Sequence, residues 1–184
     1  MAIRSEAYKS LELGASKDHA HALGTPLALL NLSSNWERSI LKNEKLLVTT
    51  RNSDPVTIFH GSKAPKMSIT QYMERILKYS RCSPSCFVIA QIYIDRFFQK
   101  RGGSLTSFNA HRLLITSVML ATKFLDDKYY SNAYYAKIGG VSTEEMNRME
   151  IEFLFNLEFR LFVTTELFMK YCEKLDKTVE LLKK

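Results

Sequence analysis

The run from Leu113 to Leu125 constrains this chain more than any other stretch. Nearly every residue in it is apolar or small, and Thr116, Ser117 and Thr122 can return their hydroxyls to a helix backbone. A helix that is apolar all round has to lie in the middle of a domain, with other helices packed on every side. At about 13 residues the run is too short to cross a bilayer as a helix. Lys123, on its last turn, suits the negative end of the helix dipole, and Asp126 and Asp127 follow it. Read alone, it is a core helix that ends by presenting a cation, an aromatic and two acids.

The rest of the composition supports a helical domain. In 184 residues there are only seven glycines and four prolines, too few for a turn-rich sheet, and 46% of residues are hydrophobic. The length allows one domain, or a domain with tails, that buries a good core. No stretch reaches about 18 apolar residues and Met1 to Ser10 lacks a signal-peptide core, so the chain is expected inside the cell, in nucleus or cytoplasm, without a membrane partner. Three cysteines are an odd number, and Cys82 and Cys86 flank Pro84 with no histidine pair nearby, which argues against a disulfide framework and against a metal site. The histidines (His19, His21, His60, His111) form no recognisable dyad. With no Gly-rich phosphate loop and no nucleophile elbow either, the chain is not expected to be an enzyme or to hold a cofactor.

The net charge of +7 is unevenly placed. Residues 63–112 hold nine basic side chains (Lys63, Lys66, Arg75, Lys78, Arg81, Arg96, Lys100, Arg101, Arg112) against Glu74 and Asp95 alone, which accounts for the whole excess. Such a surface suits acidic or phosphorylated substrates or inhibitors. It has no basic run longer than two and no interleaved surface aromatics, so nucleic acid is the weaker reading and a solvated basic face the plainer one.

In order, residues 1–25 read as a flexible extension and 26–184 as a single domain. Thr25-Pro26 reads as an N-cap with proline at the first helical position. A helix follows through Leu27, Trp36 and Leu47, with a break at Leu32 to Ser34 as an alternative, and 49–65 reads as a long connection. Ser68 to Gln71 has the capping-box spacing ahead of an apolar stripe, and Ser83-Pro84 opens a mostly buried helix that stops at Gly102-Gly103. Thr106 or Ser107 is expected to cap the central helix. A short helix over Asn132 to Ile138, a second capping box at Ser142 to Glu145 and a last helix from Thr164 or Thr165 to about Leu182 complete an all-α bundle.

Four motifs then stand in order: MERIL (Met73 to Leu77), YIDRF (Tyr93 to Phe97), ATKFLDD (Ala121 to Asp127) and RMEIEFLFNLEFRL (Arg148 to Leu161). Together they resemble the cyclin box, over roughly residues 68–163, marking its first, second, third and fifth helices. The stretches KYSRCSPSCFVIA (Lys78 to Ala90) and LEFRLFVT (Leu157 to Thr164) most resemble the plant U-type, or P-type, cyclins and the yeast phosphate-regulation cyclins. Only one box fits. The resemblance implies a five-helix box with a flanking helix at each end, and a regulatory subunit that binds and activates a cyclin-dependent serine/threonine kinase. A cyclin-fold adaptor without an activating role is the first alternative, and a DNA-associated transcription-factor-like protein the second.

The same resemblance assigns residues. Lys123 and Glu150 match the lysine and glutamate that grip main chain beside the kinase's regulatory helix, and Leu120, Phe124, Leu154, Phe159 and Leu161 match the apolar surface around them. Met73, Ile76 and Leu77 match a substrate-docking patch, although Ser80 stands where that patch ends in tryptophan. In those relatives a buried arginine–aspartate pair joins the first two helices. Here Glu74 occupies the arginine position, so Arg75 is expected to pair with Asp95 instead.

Overall fold

The computed structural model describes residues 9–13, 25–51 and 54–182, and all regular structure among them is helical. The helices are α1 (Leu27–Thr50), α2 (Ile69–Ser80), α3 (Ser85–Arg101), α4 (Ala110–Leu125), α5 (Asn132–Gly139), α6 (Thr143–Asn156) and α7 (Thr165–Leu182). The apolar run becomes α4, the centre of the bundle: every residue from Leu113 to Thr122 is buried, and α2, α3, α5 and α6 all pack on it. Thr116, Ser117 and Thr122 donate their hydroxyls to the carbonyls of Arg112, Leu114 and Val118, so none of these three buried hydroxyls is stranded. Helices α1 and α7 pack on each other and on α3, flanking the five central helices.

Local chemistry sets the helix limits. Both expected capping boxes form, Ser68 with Gln71 and Ser142 with Glu145. Gly140, at φ 70°, lets the chain turn out of α5 in a conformation that L side chains resist. Four expectations shift. Helix α1 runs unbroken through Leu32 to Ser34, because Ser33 returns its hydroxyl to the Leu30 carbonyl. Pro26 itself stands at its cap position, while Thr25 donates to Glu74. At α4 the cap position is Asn109, whose side chain accepts from the Thr106 amide. The connection after α1 is pinned by Phe59, fully buried edge-on to Phe97 and Phe153 at 5.2 and 5.8 Å.

Residues 9–13 are not a loose extension. Leu11 and Leu13 are buried, Ser10 donates to Asp176 at 2.7 Å, and Leu11 offers its carbonyl to the Ala28 amide. The remainder of the expected tail, 1–8 and 14–24, lies outside the described residues.

The expected Arg75–Asp95 pair is absent. Arg75 donates from Nε to the Ile138 carbonyl at 2.8 Å and from Nη2 to that of Lys137, capping the end of α5. Asp95 accepts from Gln91 at 2.7 Å and from the Tyr171 hydroxyl at 2.6 Å. One residue along a helix is a rotation of about 100°, so while Glu74 meets Thr25 ahead of α1, position 75 points onto the end of α5. Tyrosine and glutamine donors satisfy the aspartate in place of a cation. The docking-patch assignment also fails as a surface: Met73 and Ile76 are fully buried and Leu77 is 6% exposed, because α1, α4 and α5 pack around α2. These three side chains are core.

Candidate functional site: the rim at the ends of α4 and α6

Met146, Met149 and Phe153 face the core and fix how α6 lies. That orientation leaves Glu150 at the edge nearest α4 and turns Ile151 and Phe155 to solvent. Lys123, on the last turn of α4, donates to Glu150 Oε1 at 2.6 Å and to the Asn132 side-chain oxygen. Asn132, the first residue of α5, donates in turn to Glu150 Oε2 at 2.6 Å and to Asn147 at 2.7 Å. The lysine and glutamate side chains are 26% and 17% exposed. Each is therefore oriented by intramolecular bonds and still reachable: the ammonium has a third N–H, and each carboxylate oxygen a further lone pair.

Apolar side chains surround this pair. Phe124 is half exposed, Phe155 and Phe159 are 64% and 60% exposed and touch edge-on, and Ile151, Leu125 and Phe162 are also in water. Leu154 and Leu161 are partly buried against the core. Leu120 is not part of the surface. At 3% exposed it belongs to the packed interior of α4, one turn below Lys123 and Phe124, and supports them from beneath. The sequence reading missed Ile151, Phe155 and Phe162; an apolar residue out of phase with Met146, Met149 and Phe153 is the signal that marks the first two.

The segment after α6 is held by an unusual backbone. Glu158 and Phe159 both adopt left-handed φ, 52° and 57°, and the Phe159 amide bonds back to the Leu154 carbonyl at 3.0 Å. Left-handed conformation costs a non-glycine residue about 1–2 kcal/mol. One face of α3 holds the turn against that cost. Tyr93 donates to the Leu161 carbonyl at 2.8 Å, Arg96 to those of Arg160 and Phe162 at 2.7 and 3.2 Å, and Lys100 pairs with Glu158. Burial pushes the Tyr93 hydroxyl well above its usual range, so it stays a donor. The spacing 93, 96, 100 is one stripe of a helix. Part of the basic excess is thus structural: Arg101 pairs with Glu152 and Arg112 with Glu145 as well.

Other chemistry is sparse here. Cys82, Cys86 and Cys172 are buried free thiols, and no cluster of metal-ligating side chains occurs among the described residues. No helix there is long and apolar enough to cross a membrane.

Comparison with known proteins identifies the family. The family model described as Cyclin matches residues 14–161. The chain is 50% identical over 177 residues to Cyclin-P3-1 of Oryza sativa subsp. japonica, covering 96% of this chain and 75% of that protein. It is 48% identical over 175 residues to Cyclin-U3-1 of Arabidopsis thaliana, covering 95% and 78%, and 52% identical over 152 residues to Cyclin-U4-1 of the same plant, covering 82% and 75%. With the family model matched over residues 14–161 and similarity of this extent, the chain belongs to the cyclin family, on the side of the plant P- and U-type cyclins.

Proposed function

We propose that this cyclin binds a cyclin-dependent kinase through the rim and activates it by holding the kinase's regulatory helix inward, where the helix glutamate pairs with the nucleotide-site lysine. The observation that carries this reading is the cluster of exposed aromatic side chains around an already oriented Lys123–Glu150 pair. A soluble surface rarely keeps Phe124, Phe155, Phe159 and Phe162 together in water without a partner. Their burial supplies the affinity, and Lys123 and Glu150 set the angle by bonding the partner's main chain. Moving a kinase from about 1% to 99% active arrangement needs roughly 5.5 kcal/mol of preference for that arrangement. At about 25 cal/mol per Å², some 220 Å² of apolar contact made only in the active arrangement is enough, about the area of one or two aromatic side chains.

The test is co-expression with a cyclin-dependent kinase, followed by capture and a phosphoryl-transfer assay on the purified complex. The native chain is expected to capture and activate. The pair Phe155→Ser and Phe159→Asn, on the surface and compatible with the local backbone, is expected to weaken capture more than about tenfold while helix content stays unchanged. Capture at full strength by that variant contradicts the proposal, and capture without activation makes the chain an adaptor.

A further inference from the structure

The turn Ser83-Pro84-Ser85 that joins α2 to α3 has a cysteine on each side of it. Arg81, left-handed at φ 50°, ends α2, and Cys82 follows it into the interior. The Cys86 amide bonds back to the Ser83 carbonyl at 2.9 Å, which closes the turn and places Cys86 on the first turn of α3. The two cysteines are 2% and 1% exposed, and their thiols hydrogen-bond to each other. Thr122, next to Lys123 on α4, is in hydrogen-bonding contact with both sulfurs.

Three features make this pair more than core filling. The first is access. Cys86 lies on the wall of an open pocket of about 340 Å³ between the starts of α3 and α7 and the end of α4, with Leu125 and Phe168 opposite. A water occupies about 30 Å³, so a small peroxide has room there. The second is ionisation. Hydrogen bonding to Cys86 pulls the Cys82 thiol below its usual range against the effect of burial, and Ser80 adds to it. The same bond, together with burial, pushes Cys86 up. The pair therefore gives up one proton and keeps the other between its sulfurs, although the charge on Asp126 opposes this. The third is Tyr135. It is fully buried, and its hydroxyl lies beside Thr122 without a properly formed hydrogen bond. Burial keeps that phenol protonated, so a donor stands without an acceptor where the charge of either sulfur acts on it.

We propose that Cys82 and Cys86 are a reversible oxidation site, closed to a disulfide by a small peroxide that enters beside Cys86. The thiolate of the pair attacks one peroxide oxygen and the O–O bond breaks. Hydroxide leaves and takes up the proton released on ionisation, as water, and a sulfenic acid remains. Its oxygen is the acceptor that Tyr135 lacks. The second thiol attacks that sulfur, the S–OH bond breaks, and the departing hydroxide takes the thiol proton as a second water. Two thiols have lost two electrons and two protons, and the peroxide has gained them. Closure draws both sulfurs away from Thr122, so the change reaches the last turn of α4, which carries Lys123. This inference stands whether or not the rim binds a kinase.

The test treats the reduced full chain with hydrogen peroxide, then alkylates it under denaturing conditions. Trypsin cleaves after Arg81 and Arg96 and releases Cys82 to Arg96 as one peptide with both thiols. That peptide is expected to be lighter by two hydrogens and to take up no alkyl group, and dithiothreitol is expected to restore both sites. Cys172, whose thiol burial pushes up to about 12, is expected to alkylate throughout. Both cysteines alkylated after peroxide, a sulfinic acid without a cross-link, or a bond between two chains overturns the proposal. Tyr135→Phe is expected to slow closure about threefold or more at unchanged helix content, and an unchanged rate removes Tyr135 from the site. Amide exchange in the last turn of α4 is expected to quicken on closure while α1 keeps its rate. Exchange there that ignores the disulfide overturns the link to Lys123.

Discussion

Replacing Lys123 by methionine removes the ammonium from the rim but keeps an unbranched aliphatic side chain on the last turn of α4. In the isolated subunit, Glu150 then keeps only the Asn132 donor, and the Asn132 oxygen loses the lysine. A hydrogen bond to a charged group contributes about 1.5–3 kcal/mol. Because a quarter of the lysine side chain is still in water, the lower end applies, about 1.5 kcal/mol. For a chain of this size each kcal/mol moves Tm by about 2–4 °C, so the expected fall is roughly 3–6 °C. Urea unfolding followed by circular dichroism measures the free energy directly. A cycle with Glu150→Gln is expected to show a coupling of about 1 kcal/mol, since the two residues touch. If Lys123→Met leaves stability unchanged, or the two substitutions simply add, the pair is not oriented before the partner arrives, and the argument for a pre-set grip fails.

Three further outcomes are expected. Arg75→Gln is expected to destabilise by about 1–2 kcal/mol through the Ile138 carbonyl, and its effect should be additive with that of Asp95→Asn in urea unfolding; strong coupling between them would restore the rejected ion pair. Tyr93→Phe, which frees the Leu161 carbonyl behind the left-handed turn, is expected to cost about 1 kcal/mol and to weaken kinase capture; wild-type stability and capture together would mean the turn holds without it. Burial lowers the pKa of His60 and of His111, so below the unfolded value of 6.5 the unfolded chain binds protons that the folded chain refuses. Stability is therefore full above that value and is lost as pH falls below it. Calorimetry from about pH 7 to 5.5, above the carboxylate range, is expected to show a falling Tm that His60→Asn with His111→Gln flattens; a Tm constant across that window in the native chain contradicts this.

The fold was legible where one signal dominates. The all-round apolar run from Leu113, the two capping boxes and Gly140 each determine an element without help from the rest of the chain, and the structure places α4, α2, α6 and the end of α5 accordingly. The reading weakened where a side chain's partner is remote in sequence. Nothing local tells Arg75 to cap α5 rather than meet Asp95, or tells Tyr171 to bring Asp95 its hydroxyl from α7. Phe59 looked like part of a polar connection because the pocket it fills is made by α3 and α6. At the rim, the resemblance pointed to Lys123, Glu150, Phe124 and Phe159; the structure brings the first two together and leaves the two aromatics exposed. Leu120 was misplaced because one turn of a helix separates a surface position from a core one, and only packing decides which is which.

The most direct test of the rim is amide hydrogen exchange on the chain alone and in complex with a cyclin-dependent kinase. The last turn of α4, the second half of α6 and the turn through Phe162 are expected to gain protection together, while loop 61–67 and the α5–α6 turn keep their free rates. Protection that spares α6 and the following turn, or that appears only around Met67 and Gly140, would place the kinase elsewhere and contradict the account.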